Sequence, residues 1–367
     1  MAAGPNITMH DTLDGLRPAW EKLAEVDDSI FSTWEWLDTW WRKFGRERPL
    51  LVATWSDAGS GTTGIIPMYL SARYPVRVLR LIVLGPSDRL GPICGPGERD
   101  TAALVWTEVL ESRLPGWDML LADELPATNE WATALGGVRM ARQASPVARL
   151  APDGWEAWLA ARSRNFRATL TRAGRRLDAH GTVRYRTTTD PDRVDHDLSQ
   201  VMRLHTLRWA GTGSRGGFAG REAFHREFCR TAFRRGWLRL RFAEIDGRPV
   251  GALYNLAYGR NESFYLSGRD PAVQDASVGL LLQAYAIRQA HAEGREEYRF
   301  LRGSEPYKYR FADEDHPLEA VAVTRSPAGR AAVRGLRDFP RFPAWARRRV
   351  PAPFAWGTGA SPRWGRP

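Results

Sequence analysis

Residues 263–311 read SFYLSGRDPAVQDASVGLLLQAYAIRQAHAEGREEYRFLRGSEPYKYRF, and the order of signals within them decides the fold. Ser263 to Leu266 is rich in strand-forming residues and runs into a Gly-Arg-Asp-Pro breaker. Val278 to His291 then carries apolar residues at helical spacing and stops at Gly294. A second strand, Tyr298 to Leu301, delivers Arg302, Glu305, Tyr307, Lys308 and Arg310 at its carboxyl end. In an α/β layout ligands bind at that end, because the loops there present polar groups beside helix N-termini. Chemistry is therefore expected where this stretch finishes.

Upstream, Trp237 to Ile245 and Pro249 to Tyr258 read as strands on either side of Asp246-Gly247, the strongest hairpin signal in the chain. Before them, Leu198 to Trp209 (LSQVMRLHTLRW) and Arg221 to Arg235 read as helices separated by the glycine-rich GTGSRGGFAG, and Val183 to Thr187 reads as a strand. A helix starts at Trp155, and RSRNFRATLTRAGRR, residues 162–176, either continues it or forms the next one. Downstream, Leu318 to Thr324 is one more strand.

The first part of the chain repeats the mixture. FSTWEWLDTWWRKF, residues 31–44, begins at a Ser/Thr capping position with Glu35 close behind, and Trp34, Leu37, Trp40, Trp41 and Phe44 fall on one stripe. It is expected to pack on a sheet. Leu50 to Trp55, Gly64 to Leu70, Val76 to Leu84 and Trp117 to Leu121 read as strands, and Thr101 to Leu110 as a helix. The expected division is 1–150, 151–325 and a tail from 326 to 367, with QASPVARLAPDG as the linker near Leu150. The tail is rich in Pro, Arg and Trp and need not fold into a core.

Length and composition agree with that division. A chain of 367 residues exceeds one ordinary domain, and 43% hydrophobic with 26% charged residues fits a globular protein. Sixteen Trp imply large cores or aromatic-lined grooves. The two cysteines, Cys94 and Cys229, make no disulfide framework, and Cys229 among Phe224, Phe228 and Phe233 reads as a small core residue. The seven His lack metal-ligand spacing, so no metal is expected. The N-terminal MAAGPNITMHDTLDG has no charged start before an apolar block, and no run of about eighteen apolar residues follows. A cytoplasmic location is expected.

The net charge of +11 is uneven. Residues 325–367 hold ten Arg against Asp338 alone, so the tail carries +9 and the rest only +2. Residues 162–176 hold six Arg and no acid, which points to a local anion site rather than a basic surface.

The order helix, helix, three antiparallel strands, helix, strand and final strand resembles the GNAT acyltransferase fold. RSRNFRATLTRAGRRLDAHGTV, LHTLRW, DGRPVGALY, YLSGRDP and FLRGSEPYKYRF are similar to the CelD-like branch of that superfamily. The branch is similar in turn to the FemAB-type peptidyltransferases, which carry tandem GNAT units. FSTWEWLDTWW and IIPMYL…LRLIVLG resemble their degenerate first unit, so the resemblance covers about residues 31–325. It implies an α/β protein with mixed sheets, built of two tandem GNAT-like units, the first degenerate.

The resemblance also implies roles. Acyl transfer to an amine needs a neutral amine, a donor for the developing oxyanion and a proton for the leaving group. The backbone of Tyr265, Leu266, Ser267 and Gly268 is expected at the acyl group. Val278, Gly279 and Leu280, where the family's phosphate loop is reduced to one glycine, are expected at the phosphates of acyl-CoA, acetyl-CoA foremost; a plain helix start is the structural alternative. Glu305 is the candidate general base and Tyr307 the candidate proton donor, with Tyr309 its alternate. Asp270 is a candidate for binding the amine, or a turn starter. Lys308, Arg302, His205, Trp209, Arg164 and Asp88 are candidate substrate contacts; for these, ion pairing, core packing or a solvated face is the alternative.

Three functions follow. The first is an N-acyltransferase using acyl-CoA on a primary amine of a sugar, peptide or small metabolite. The second is an aminoacyl-tRNA-dependent transferase of FemAB type. The third is a catalytically silent scaffold for envelope or polysaccharide synthesis, attached to a membrane or protein partner through the basic tail.

Overall fold

A computed structural model describes residues 4–338, apart from 46, 58–60, 73–74, 84, 115, 151 and 211–215. The greater part of the expected tail, 339–367, lies outside the described residues. The strands of the first half are β1 (Asn6–His10), β2 (Leu50–Ser56), β3 (Thr62–Ala72), β4 (Val78–Leu81), β5 (Ile93–Cys94), β6 (Met119–Pro126) and β7 (Val138–Gln143). Those that follow are β8 (Pro146–Arg149), β9 (Val183–Thr187), β10 (Leu238–Ile245), β11 (Arg248–Tyr258), β12 (Asn261–Arg269), β13 (Glu297–Arg299), β14 (Glu314–Asp315) and β15 (Leu318–Thr324).

They form two mixed sheets, ordered β1-β2-β3-β4-β6-β15-β7 with β5 on β3, and β14-β8-β13-β12-β11-β10-β9. Each contains one parallel pair, β4 with β6 and β12 with β13, after an antiparallel meander. The architecture is the expected α/β one of mixed sheets, and the two sheets share this arrangement of an antiparallel meander followed by a parallel pair.

Sheet membership does not change at residue 150. β8, read from sequence as linker, pairs with β13 and β14 in the second sheet. β15, late in the chain, pairs with β6 and β7 in the first. The chain thus exchanges one strand in each direction, and each half needs the other to complete its sheet.

Helices α1 (Arg17–Asp27), α2 (Trp34–Trp40), α3 (Arg99–Glu108) and α4 (Trp131–Ala134) belong to the first half. α5 (Gly154–Ala160), α6 (Arg164–Asp178), α7 (Val194–Trp209), α8 (Glu222–Arg234), α9 (Val278–Ala292) and α10 (Pro327–Asp338) follow. The basic stretch forms its own helix, α6, because Ser163 caps it by accepting from the Phe166 N–H at 3.2 Å. α10 corrects the expectation that order ends near 325: its Val333 is buried against Val78, Met119 and Leu121 of the first sheet.

α2 does more than cover a sheet. Its cap, Thr33, accepts from Trp36 N–H, and Trp36 then points across to α8 and β12, with ring centroids 4.5 Å from Phe228, 4.9 Å from Phe224 and 5.6 Å from Tyr265. Trp40, on the other side, packs on Tyr69 of β3 at 5.5 Å. The edge-to-face contacts of Trp36 join both halves into one apolar core, which fixes the two units against each other. Cys94 and Cys229 are buried free thiols in that core, and burial pushes the Cys229 thiol up to about 12.

Candidate active site

The site begins with a strand that loses its neighbour. β12 pairs with β13 only from Asn261 to Ser263, whereas it continues along β11 to Arg269. From Phe264 onward one edge of β12 therefore has no strand partner among the described residues. Asp270 N–H donates to Val250 O at 2.8 Å, so by the alternation of an antiparallel ladder Gly268 faces β11 and Ser267 faces the open edge. The Ser267 carbonyl indeed accepts from α7, bonding His205 Nδ1 at 2.7 Å. A register shift opposite Tyr254 and Asn255 makes Tyr265 a bulge residue, and its hydroxyl reaches the first half, donating to Pro86 O at 2.8 Å.

A cleft of about 210 Å³ opens at this edge. One wall is β12 from Phe264 to Ser267, the second is Phe300 to Arg302 with Glu305, Tyr307 and Lys308, and the third is His205, Arg208, Trp209, Gly217 and Arg221. The first half closes it with Gly85, Pro86 and Asp88. In the first half, the end of β4 past its parallel pairing is covered by Phe31 and Leu37, and the space left there is about 10 Å³. Of the two openings only the second has room for a substrate.

Each wall is fixed by bonds that explain its residues. His205 accepts the Gly217 N–H at Nε2, 3.0 Å, so the proton sits on Nδ1 and is donated to Ser267. Burial lowers its pKa, and both nitrogens are used, so it orders the wall as a neutral ring. Gly268 is a glycine because α7 crosses β12 there: a Cβ would lie 2.5 Å from the Leu204 carbonyl carbon. Arg208 donates to Ser267 Oγ and is bonded to the Tyr307 hydroxyl. Burial raises the Tyr307 phenol above its ordinary value, so it stays protonated.

The 301–308 loop is held by Lys308, whose Nζ donates to the carbonyls of Leu301 (3.3 Å), Arg302 (2.6 Å) and Gly303 (3.3 Å) and lies 3.0 Å from Glu305 Oε2. Lys308 is 3% exposed, and burial lowers its pKa. Glu305 remains half exposed at the rim. Arg302 faces the first half, where Asp88 accepts its backbone N–H at 2.6 Å and Glu124 accepts its guanidinium. Burial pushes Asp88 up to about 6 and Glu124 up to about 7.

The structure thus gathers Glu305, Tyr307, Lys308, Arg302, His205, Trp209, Asp88, Tyr265, Leu266 and Ser267 around one cleft. It leaves others outside the lining. Asp270 accepts from the Ala272 N–H at 3.0 Å and from Arg248 at 2.5 Å, the arrangement of a turn starter. Val278 is buried against Gly251 and Leu280 is half buried, while a Cβ at Gly279 would meet nothing within 4 Å. Arg164 is exposed at the start of α6. Tyr309 is exposed and donates to Asp315 at 3.3 Å. Arg208, Arg221, Gly85 and Glu124 were not singled out by sequence; only the proximity of Arg208 to His205 on one helix pointed to it. Among the described residues no cluster of His, Cys, Asp and Glu could hold a metal, and no helix is long and apolar enough to cross a membrane.

Residues 164–309 match the sequence model of the acetyltransferase (GNAT) domain. No curated protein matches the chain. Among solved structures, FemX is similar with a TM-score of 0.62 and 9% identity, over 90% of this chain and 99% of FemX. The C-terminal domain of a putative lysylphosphatidylglycerol synthetase from Agrobacterium fabrum is similar with a TM-score of 0.55 and 11% identity, over 87% and 96%. L-PGS from Bacillus licheniformis gives 0.53 and 13%, over 86% and 95%. At these identities the likeness is one of fold, and it extends through both halves.

Proposed function

From the premise that this chain carries an acetyltransferase domain of the GNAT family over residues 164–309 and is an acyltransferase, we propose that it moves an acyl group from acyl-CoA, acetyl-CoA foremost, to a primary amine of a sugar, peptide or small metabolite. Residues 151–325 act as the transferring unit and 1–150 as its degenerate copy. The observation that carries the proposal is the free edge of β12 at Ser267, facing a phenol and a carboxylate across an open cleft.

The substrate thioester lies along that edge, its carbonyl oxygen toward the Ser267 N–H. The neutral amine attacks the carbonyl carbon, and the amide donor stabilises the oxyanion as it forms. Collapse breaks the carbon–sulfur bond, and the buried, protonated Tyr307 supplies the proton to the thiolate. Glu305, at the rim, takes the proton from the amine. The phosphates of CoA sit toward Gly279, where the backbone is open and a helix N-terminus offers N–H groups and its dipole. Asp270 shapes the turn after β12, and Val278 and Leu280 flank the phosphate position.

One observation favours a second donor. Arg164 and Arg175 lie on the exposed face of α6 and make no ion pair among the described residues, a surface suited to the backbone of an aminoacyl-tRNA. Calorimetric titration with acetyl-CoA decides between them. Binding by the wild type that is lost in Gly279→Trp supports acyl-CoA, because that position has room for a new side chain without disturbing the fold. No heat with acetyl-CoA, together with salt-sensitive retention of charged tRNA, supports the second donor.

A further inference from the structure

Four cations line the cleft: Arg208, Arg221, Arg302 and Lys308. Two of them are compensated. Arg302 pairs with Asp88 and Glu124, and Lys308 with Glu305. The other two are not. Arg208 spends its donors on neutral partners, Ser267 Oγ and the Tyr307 hydroxyl, and stacks on Trp209 with its Cζ 5.4 Å from the ring centroid. Arg221 lies against the backbone of Gly85, where a Cβ would come within 2.9 Å of its Nη2. Gly85 has φ +105, so that position is glycine for two reasons, and both leave the guanidinium its place. Neither arginine has an ion pair among the described residues. Arg269, on the same face of β12 as Ser267, adds a third guanidinium without a carboxylate among the described residues, its charge disfavoured by burial and then by the nearby Arg208.

Resting on the N-acyltransferase reading above, we propose that the acceptor is an anionic amine, whose carboxylate or phosphate is held by Arg208 and Arg221. Two guanidiniums lining one partly desolvated cleft without a counter-ion are costly, and a bound anion relieves that cost. Their planar forks suit the paired oxygens of a carboxylate or phosphate. The same excess charge repels an ammonium, which favours entry of the amine in its reactive neutral form and disfavours simple cationic amines. Arg208 is bonded to Ser267 itself, so the anion sits close to the reacting amine.

The test needs no knowledge of the acceptor. Inorganic phosphate and acetate are titrated into the full chain against chloride at equal ionic strength, with thermal unfolding as the readout. The same titrations are made on Arg208→Gln and Arg221→Gln, and on the lysine variants in case either glutamine variant folds poorly. At least one anion should stabilise the wild type in a saturable way, with apparent affinity about tenfold weaker in each glutamine variant and partly restored by lysine. Preference for acetate indicates a carboxylate acceptor, and preference for phosphate a phosphorylated one. Equal response in wild type and glutamine variants overturns the proposal. So does loss of the anion effect on saturation with CoA, which would assign both arginines to the donor. A failure of CoA to bind while the anion effect persists would instead count against the donor reading alone.

Discussion

Arg302 ties the two halves of the chain together: Asp88 of the first half accepts its backbone N–H at 2.6 Å, and Glu124, also of the first half, accepts its guanidinium. The bond falls directly after Leu301, held at φ +57, and opposite Glu124, held at φ +61. Strained backbone on both sides of one ion pair indicates that the surrounding structure over-determines this junction. It is also where the loop carrying Glu305 and Tyr307 departs, so the position of those side chains depends on the contact between units.

The junction titrates. Folding holds Asp88 near 6 and Glu124 near 7, above their ordinary values of 3.8 and 4.5, so the folded state binds protons that the unfolded chain has released. Their contribution to stability is therefore fully present at low pH and declines as pH rises through about 4 to 7. Glu124→Gln removes one of them. Between pH 8 and 5 the wild type should gain on that variant by up to about 1.4 kcal/mol per pH unit in urea unfolding. A wild type that loses ground on acidification contradicts the assignment.

His225 has the opposite sign. It is fully buried among Phe218, Phe224, Tyr254 and Tyr265, with no hydrogen-bond partner for either ring nitrogen among the described residues, and burial lowers it to about 3. A group depressed in this way contributes stability that is present above about 6.5 and lost as pH falls. His225→Phe should be neutral or stabilising by about 1 kcal/mol at pH 8, and its advantage should widen below pH 6. Thermal unfolding of both proteins across that range checks it; a variant less stable at every pH would mean that the ring has a polar partner.

Gly268→Ala sets a methyl against the backbone of α7 at Leu204 and His205. Backbone cannot swing aside as a side-chain tip can, so the change should cost about 3 kcal/mol. It should also displace His205 and Arg208 and reduce turnover. Full stability with full activity would show that α7 can slide on β12.

Tyr307→Phe keeps the ring but removes the proton. With the roles proposed, kcat should fall by about 10² to 10⁴-fold with little change in KM for the donor. Steady-state kinetics decide it, and an unaltered kcat would move the proton donor elsewhere.

Local signals were legible and long-range pairing was not. Asp246-Gly247 announced the β10–β11 hairpin, and both residues have positive φ, +48 and +78, as the short turn requires. β8 escaped notice because four residues carry little periodicity and its partners β13 and β14 lie about 150 and about 165 positions later. β15 was recognised as a strand, but nothing in LEAVAVT states that its neighbours are β6 and β7. The same limit applies to the site. Glu305, Tyr307 and Lys308 stood out because a strand delivers them together, whereas Arg221 and Gly85 become neighbours only when the halves dock. Asp270 and Gly279 have local reasons for their identity, a turn and a helix start, which sequence alone does not separate from catalysis.

The placement of the acyl carbonyl at the free edge of β12 carries the proposed mechanism. It is tested most directly by the distance from that carbonyl oxygen to Ser267 N in a crystal structure with a non-cleavable acetyl-CoA thioether. The proposal predicts about 3 Å, with the sulfur facing Tyr307. A pantetheine arm lying elsewhere, with Ser267 N–H bonded to water or protein alone, would contradict it.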